Sequence, residues 1–388
     1  MASVGLLSFI SAAGVSEALI LGPRRGLNSR AVSSIAWMYS LGASIALTIP
    51  LIVILGSQSQ PSSRFIALAA TMPALGVIGA LSNYSLIHLG EFRLSAVVRV
   101  TPTVVQLLML VVLWGLGVES LEAVFSSAVL GSLCAVVLAV GFVRPWRGFT
   151  LLGARRSMRA TLTIAWHLGT TQVVRAVSAR SDLLVVAIVL GSTAAGIYSV
   201  AASVTIAGHA LIASLAPVIL SRGGAAAKMT TSAASLLGLL MGALIVVLGP
   251  VLLPWMYGSE YTSARSLLYP LSLTMVLGIL FELTLRTLQQ AGYERTLMAV
   301  SAMVAALQVL LVTTMSMLIG LKSAPLGSAA AFLAGLLVLE RVSRQKGNGS
   351  ILANVSPWAG RRLIWHLMQV KFGGKSPSNS RTYDLDTR

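Results

Sequence analysis

An all-α fold of about eleven membrane-crossing helices is what this sequence predicts, and three observations predict it. Of its 388 residues 56% are hydrophobic and only 10% charged, against roughly 25% charged in a soluble domain, and the mean hydropathy is +0.86. Apolar runs of about 20 residues, the length a helix needs to cross a bilayer, recur along the chain as far as residue 341. No joint between them exceeds about 20 residues, which leaves no room for a soluble catalytic domain between spans. The chain reads as a polytopic membrane protein that acts within the membrane or at its surface.

Each run has its own marks. The first, about 2–21, carries one isolated acid, Glu17. The second and third, about 31–55 and 65–89, are plain apolar helices, and the sequon-like Asn83-Tyr84-Ser85 lies inside the third, where it carries no glycosylation signal. In the fourth, about 96–117, Pro102 bends the helix and frees a carbonyl. Beside it Arg99, Thr103 and Gln106 recur at spacings of four and three, a polar stripe on one face. That stripe lines a cavity, or Arg99 snorkels to the inner surface. The fifth, about 120–143, holds the single cysteine, Cys134, which has no partner for a disulfide or a thiolate metal site. The sixth, about 160–190, contains Arg175, Arg180 and Asp182 in its middle. The seventh and eighth fall at about 195–221 and 232–256, the latter with the helix-packing pair Gly238 and Gly242. In the ninth, about 263–289, Glu282 and Arg286 are four apart, the spacing of an intrahelical pair. Runs at about 296–320 and 324–341 complete the set.

Charge in the joints sets orientation, because cytoplasmic loops collect Lys and Arg. Alternate joints carry Arg24, Arg25 and Arg30; Arg93; Arg144, Arg147, Arg155, Arg156 and Arg159; Arg222 and Lys228; and Arg295. The other joints offer only Arg64, Arg265 and Lys322. The first set is cytoplasmic, with the C-terminal tail inside and Met1 outside. Shifting the chain by about 201 residues brings Arg64 near Arg265, Gly90 onto Gly292, Arg93 onto Arg295, and Ser126-Ser127-Ala128 opposite Gly327-Ser328-Ala329. Two pseudo-symmetric lobes in the same orientation follow, as in parallel-repeat transporters. The expected organisation is an N-terminal lobe of about five spans at 1–145, a basic cytoplasmic linker at 146–159, a C-terminal lobe of six spans at 160–342, and a basic cytoplasmic tail at 343–388. On this register the span at 160–190 has its counterpart before Met1, so the chain is expected to lack the first helix of a six-plus-six arrangement. In the tail, Trp358, Leu363, Trp365, Leu367 and Met368 alternate with Arg361, Arg362 and Lys371, the pattern of a helix lying on an anionic inner leaflet. A disordered end follows it.

The net charge of +17 sits in the joints and the tail, which is positive-inside topology and not a nucleic-acid surface. No GxxxxGK[ST], HExxH or GxSxG pattern occurs, so the common signatures of ATP use and hydrolysis are missing. His88, His167, His209 and His366 are too scattered for a metal site. Neither enzyme activity nor a cofactor is expected. The intramembrane charges carry the weight instead: at a helix centre each costs roughly 2.5–3.5 kcal/mol and persists only facing protein or water. Arg175 and Asp182, seven apart, share nearly one face, and Arg180 is offset around the helix. One arginine neutralises Asp182 and leaves the other in excess, either as part of a helix-locking ion pair or as a planar fork for an anionic, phosphate-bearing headgroup. Glu17 is a candidate for proton coupling, since burial changes where a carboxyl titrates, or for pairing with an arginine of another helix. Glu282 and Arg286 form a structural pair or part of a site.

The stretch at 180–204, RSDLLVVAIVLGSTAAGIYSVAASV, resembles a signature of polysaccharide-type flippases in the multidrug/oligosaccharidyl-lipid/polysaccharide exporter superfamily. A helix with Asp182 runs into Leu190-Gly191 and then the helix start Gly196-Ile197-Tyr198-Ser199-Val200-Ala201. Tyr257-Gly258-Ser259-Glu260-Tyr261 with Ala264, Gln290-Ala291-Gly292 with Arg295, and Pro325-Leu326-Gly327-Ser328-Ala329-Ala330 are similar to later motifs of that family. The likeness covers residues 160–342 well and the first lobe more loosely. It implies two lobes around a central cavity that opens to each side in turn. It also implies movement of an undecaprenyl-diphosphate-linked glycan from the inner to the outer leaflet, with Arg99, Arg175 and Arg180 as cationic cavity residues.

The function expected is therefore translocation of a lipid-linked oligosaccharide or polysaccharide precursor across a bacterial plasma membrane. Membrane lipid, the glycan carrier and a polysaccharide polymerase or glycosyltransferases are its expected partners. The alternatives are a cation-coupled drug or ion antiporter of the same superfamily, and a non-transporting scaffold in envelope polysaccharide assembly. The site set is Arg99, Gln106, Arg175, Arg180, Asp182, Glu282 and Arg286, with Glu17 for proton coupling.

Overall fold

A computed structural model describes residues 14–56, 63–118, 120–143, 154–213, 219, 224–345 and 350. Eleven α-helices make up nearly all of it, and among the described residues there is no strand. In order they are α1 (Val15–Arg24), α2 (Ser29–Gly56), α3 (Ser63–His88), α4 (Phe92–Gly115), α5 (Leu121–Val143), α6 (Ala154–Leu190), α7 (Ser192–Ala213), α8 (Gly224–Tyr257), α9 (Arg265–Gln290), α10 (Glu294–Ile319) and α11 (Ala324–Gln345). Short 3-10 turns, Ser259–Ala264 and Leu321–Ser323, lead into α9 and α11. The start of the first expected run, most of the linker, the interfacial helix at 351–372 and the tail's disordered end lie outside the described residues.

Among the described residues seven helical stretches are long and apolar enough to cross a membrane, which together with the helical fold makes this a multi-pass membrane protein. They fall in α3, α4, α5 and α8 to α11. The eleven expected runs correspond to the eleven helices, and the run at 160–190 falls below that apolar measure for a reason: α6, at 37 residues the longest described helix, carries Arg175, Arg180 and Asp182, which dilute its apolar character. It also begins at Ala154, ahead of its apolar run, because Arg155, Arg156, Met158 and Arg159 are good helix formers that carry the helix beyond the hydrocarbon.

The internal echo is written into the geometry. Helices α9, α10 and α11 start at 265, 294 and 324, where α3, α4 and α5 start at 63, 92 and 121, an offset of about 202. The turns between them match as well. Gly90 and Gly292 both sit at positive φ, 82° and 88°, and in each turn the next residue's amide reaches back to a helix carbonyl, Glu91 to Leu86 and Tyr293 to Leu288. Only glycine takes that conformation cheaply.

Packing divides around α6. Its first half enters an apolar core with α1, α2 and α3, made by Val15, Leu19, Val32, Trp37, Leu81 and Ala165. Its second half, through Val185 and Val186, enters a larger core with α7 to α11. Polar contacts pin that second half: buried Gln308 of α10 bonds the Ser178 hydroxyl and, at 3.2 Å each, the Ser178 carbonyl and Ser328 Oγ of α11. Interhelical bonds of this kind average about 0.6 kcal/mol in membranes, so Gln308→Leu is expected to cost only about 1 to 2 kcal/mol. A fall of a few degrees in the melting temperature of detergent-purified protein, with the elution profile unchanged, is the readout.

Candidate functional site

Where α6 passes from one core to the other, it meets α1 and α9, and there four of the intramembrane charges converge. Glu17 enters from the first turn of α1. Gln172 and Arg175, three apart on α6, point to the same place, as do Glu282, Arg286 and Gln289 on successive turns of α9. Arg286 pairs with Glu17. It also bonds Glu282 Oε1 at 3.2 Å and Gln289 Oε1 at 3.1 Å. Arg175 pairs with the other oxygen of Glu282 and donates to Gln172 Oε1 at 3.2 Å, and Gln172 in turn donates to Glu17. The result is a closed ring of alternating charge, Glu17, Arg286, Glu282 and Arg175, with Gln172 completing it.

The ring is nearly dry. Glu17, Glu282 and Arg286 are exposed by 2%, 7% and 6% at their side chains, and Arg175 by 19%. Two acids balance two arginines, which is how four charges survive in a low-dielectric interior. Tyr84 of α3 feels the charges of Glu17, Arg286, Glu282 and, from α4, Arg99. His209 of α7 lies with Nε2 3.5 Å from Glu282 Oε2. A second tie joins the same helices about 12 Å along α1: Arg25 pairs with Glu294 at the start of α10 and donates to the Gln289 carbonyl at 3.4 Å.

His209 also faces the other polar feature, a cavity of about 270 Å³ among α6, α7, α9, α10 and α11. Its walls include Arg180, Asp182, Tyr198, Ser203 and Gln308. Asp182 accepts from the Tyr198 hydroxyl at 2.6 Å and from the Leu183 amide at 2.8 Å. The Asp and the Tyr of the 180–204 stretch thus touch each other across the α6–α7 turn.

The candidates therefore separate into two places. Arg175, Glu282, Arg286 and Glu17 meet in the ring; Arg180 and Asp182 line the cavity. The expected neutralisation of Asp182 by an arginine of α6 takes no ion-pair form among the described residues: Arg175 pairs with Glu282, Asp182 accepts from Tyr198, and Arg180 stands with Asp182 in the cavity wall. Helical periodicity put Arg175 and Asp182 on one face, but that face runs the length of α6 and meets different neighbours at each level. Glu282 and Arg286 make their four-apart contact while each also serves a distant partner. Arg99 and Thr103 of the α4 stripe are exposed and Gln106 half-buried, outside the ring. The residues missed were Gln172, Gln289, His209, Tyr198 and Gln308. A signal existed for the first two, each an amide three residues from an intramembrane arginine on its own helix. Among the described residues no group of His, Cys, Asp and Glu is arranged to hold a metal ion.

Residues 1–220, more than half of the chain, match the family described as polysaccharide biosynthesis protein. Solved structures similar in fold include a multidrug resistance MATE family transporter of the MOP superfamily in its outward-facing conformation, at TM-score 0.70 and 16% identity over 89% of this chain and 85% of that one. An inward-facing MATE transporter gives TM-score 0.63 and 15% identity over 89% of each chain. A MOP superfamily transporter from Pyrococcus furiosus, whose binding pocket is described as of reverse polarity, gives 0.67 and 15% over 89% and 85%. At such identities the likeness establishes the fold. No curated protein matches the chain.

Proposed function

The chain belongs to the polysaccharide biosynthesis protein family, and from that premise we propose that it carries a lipid-linked oligosaccharide or polysaccharide precursor across a bacterial plasma membrane by alternating access. The lobes in this reading are 1–145 and 160–342, and the carrier is an undecaprenyl diphosphate or a lipid of like chemistry. One observation carries the proposal. Arg180 lies within an apolar span, is exposed, and has no carboxylate within ion-pair distance among the described residues. An arginine at that depth persists only facing protein, water or an anion, and Arg180 opens on a cavity that His209 also walls. A guanidinium fork suits a phosphate group. Arg175, by contrast, is already matched by Glu282.

The test is transport of a fluorescent diphosphate-linked oligosaccharide in vesicles reconstituted with purified protein. Arg180→Gln is expected to lower the initial rate by about tenfold to a hundredfold, the worth of one charge-assisted contact, with folding intact because the residue is exposed. Undiminished transport by that variant would remove Arg180 from the path. A second reading, a cation-coupled antiporter, is favoured by Asp182 standing in the same cavity. It requires efflux of a cationic dye that Asp182→Asn abolishes and a lipid-linked glycan does not compete.

A further inference from the structure

Two grooves of nearly equal size open on the surface of α2, and they differ in what their polar groups are doing. The first, about 620 Å³, lies among α2, α3 and α5. Its hydroxyls are spent on their own helices: Ser44 donates to the Ser40 carbonyl at 2.8 Å, Thr48 to Ser44 at 2.8 Å and Thr71 to Leu68 at 2.9 Å. What remains is an aliphatic wall with Ile45 and Ile49 outermost, which any acyl chain fills equally well.

The second groove, about 600 Å³, runs along the seam between α2 and α6 and is lined by Tyr39, Met158, Arg159, Leu162, Thr163 and Trp166. Thr163 is spent on the Arg159 carbonyl at 2.7 Å. The Arg159 guanidinium, the Tyr39 hydroxyl and the Trp166 indole N–H have no hydrogen-bond or ion-pair partner among the described residues. Every unspent group in this groove is therefore a donor, one of them carries a full positive charge, and Arg159 is exposed. Trp166 and Tyr39 stand 68% and 44% exposed beside it.

Depth orders these groups. Both helices start at joints rich in arginine, Arg30 before α2's apolar run and Arg155 and Arg156 before α6's, the ends that the positive-inside rule places in the cytoplasm. Arg159 lies about 8 Å from the start of α6 and Trp166 about 18 Å, with Tyr39 about 15 Å along α2. A cation at headgroup level above an aromatic shelf is the order of charge and amphipathic rings found at a membrane interface. The guanidinium fork matches a phosphate's oxygens.

We propose that the α2–α6 seam is a binding site for the phosphate headgroup of an anionic phospholipid of the cytoplasmic leaflet, with its acyl chains passing down along Leu162 and Trp166. The site is separate from the charge ring and from the Arg180 cavity, and does not depend on what the protein transports.

Native mass spectrometry of the full chain tests it, reading retained phosphatidylglycerol against phosphatidylcholine. The preference for phosphatidylglycerol is expected to fall about tenfold in Arg159→Gln and partly in Arg159→Lys, which keeps the charge but loses the fork. It is expected to stand in Arg341→Gln, a change at an exposed arginine of α11. Equal losses in Arg159→Gln and Arg341→Gln would reduce the effect to general surface charge, and an unchanged preference in Arg159→Gln would overturn the site. Displacement of phosphatidylglycerol by undecaprenyl diphosphate at lower concentration, lost in Arg159→Gln, would reassign the seam to the transported lipid.

Discussion

Arg286→Met is expected to destabilise the protein by about 3–5 kcal/mol, the cost of stranding buried charge, and to cost more than any other change in the ring. The reason is connectivity. Arg286 bonds Glu17 on α1, and Glu282 and Gln289 on its own helix, so its loss deprives Glu17 of the one arginine, among the described residues, that pairs with it, and Glu282 of one of two. One oxygen of Glu17 already has no hydrogen-bond partner among the described residues. Neutralising the acid as well should restore much of the loss. In the double variant Arg286→Met with Glu17→Gln the stranded charge is gone, and Gln172 keeps an amide oxygen to donate to. The measurement is thermal unfolding of detergent-purified protein across the cycle of wild type, two single variants and the double variant. Additive losses in that cycle would mean that the ring is not an energetic unit.

Under the alternating access proposed above, the ring takes on a further meaning. Parting α1 from α9 and α10 has to break Glu17–Arg286, Arg25–Glu294 and the bond from Arg25 to the Gln289 carbonyl. A closed ring of alternating charge can exchange partners within itself when one tie opens, because Arg175 and Gln172 of α6 sit between the two acids. Substitutions in the ring are therefore expected to change the balance between conformations as well as stability.

The helices were legible in the sequence because lipid imposes a simple demand: about 20 apolar residues and few charges per crossing. Ten of the eleven helices overlap their expected runs closely, and the repeat of Gly90 at Gly292 was visible as letters before it was visible as a turn. The site was legible only residue by residue. The cost of intramembrane charge marks Glu17, Arg175, Arg180, Asp182, Glu282 and Arg286 as requiring partners, but it does not say which. Glu17 and Arg286 are 269 positions apart, and no periodicity spans that distance. Spacing along α6 left open which arginine Asp182 would neutralise; the partner of Arg175 arrives from α9. Tyr198 stood in the sequence only as one letter of the helix start at 196–201, and its link to Asp182 exists only once the α6–α7 turn brings the two together.

Gly14→Ala is the second substitution expected to have a large effect, about 3 kcal/mol, through the backbone instead of through charge. Gly14 precedes α1 with φ 75°, a conformation that costs a side-chain-bearing residue about 1–2 kcal/mol. It also lies directly against α6, and the place a Cβ would take is filled by backbone of Ala165 and Gly169, with Gly169 Cα at 2.6 Å. Backbone in the middle of a helix does not step aside as a side-chain tip does, so α1 itself must move away. Three residues on is Glu17, and a shift of α1 large enough to admit a methyl group, about 1 Å, stretches its bonds to Arg286 and Gln172. The two effects are therefore coupled, and the coupling is measurable. In the background of Gly14→Ala, Glu17→Gln is expected to cost less than it does alone, because the ion pair it removes has already been stretched. A full, independent cost for Glu17→Gln in that background would show that α1 absorbs the methyl group by another route and that the close approach of Gly14 to α6 does not set the position of the ring.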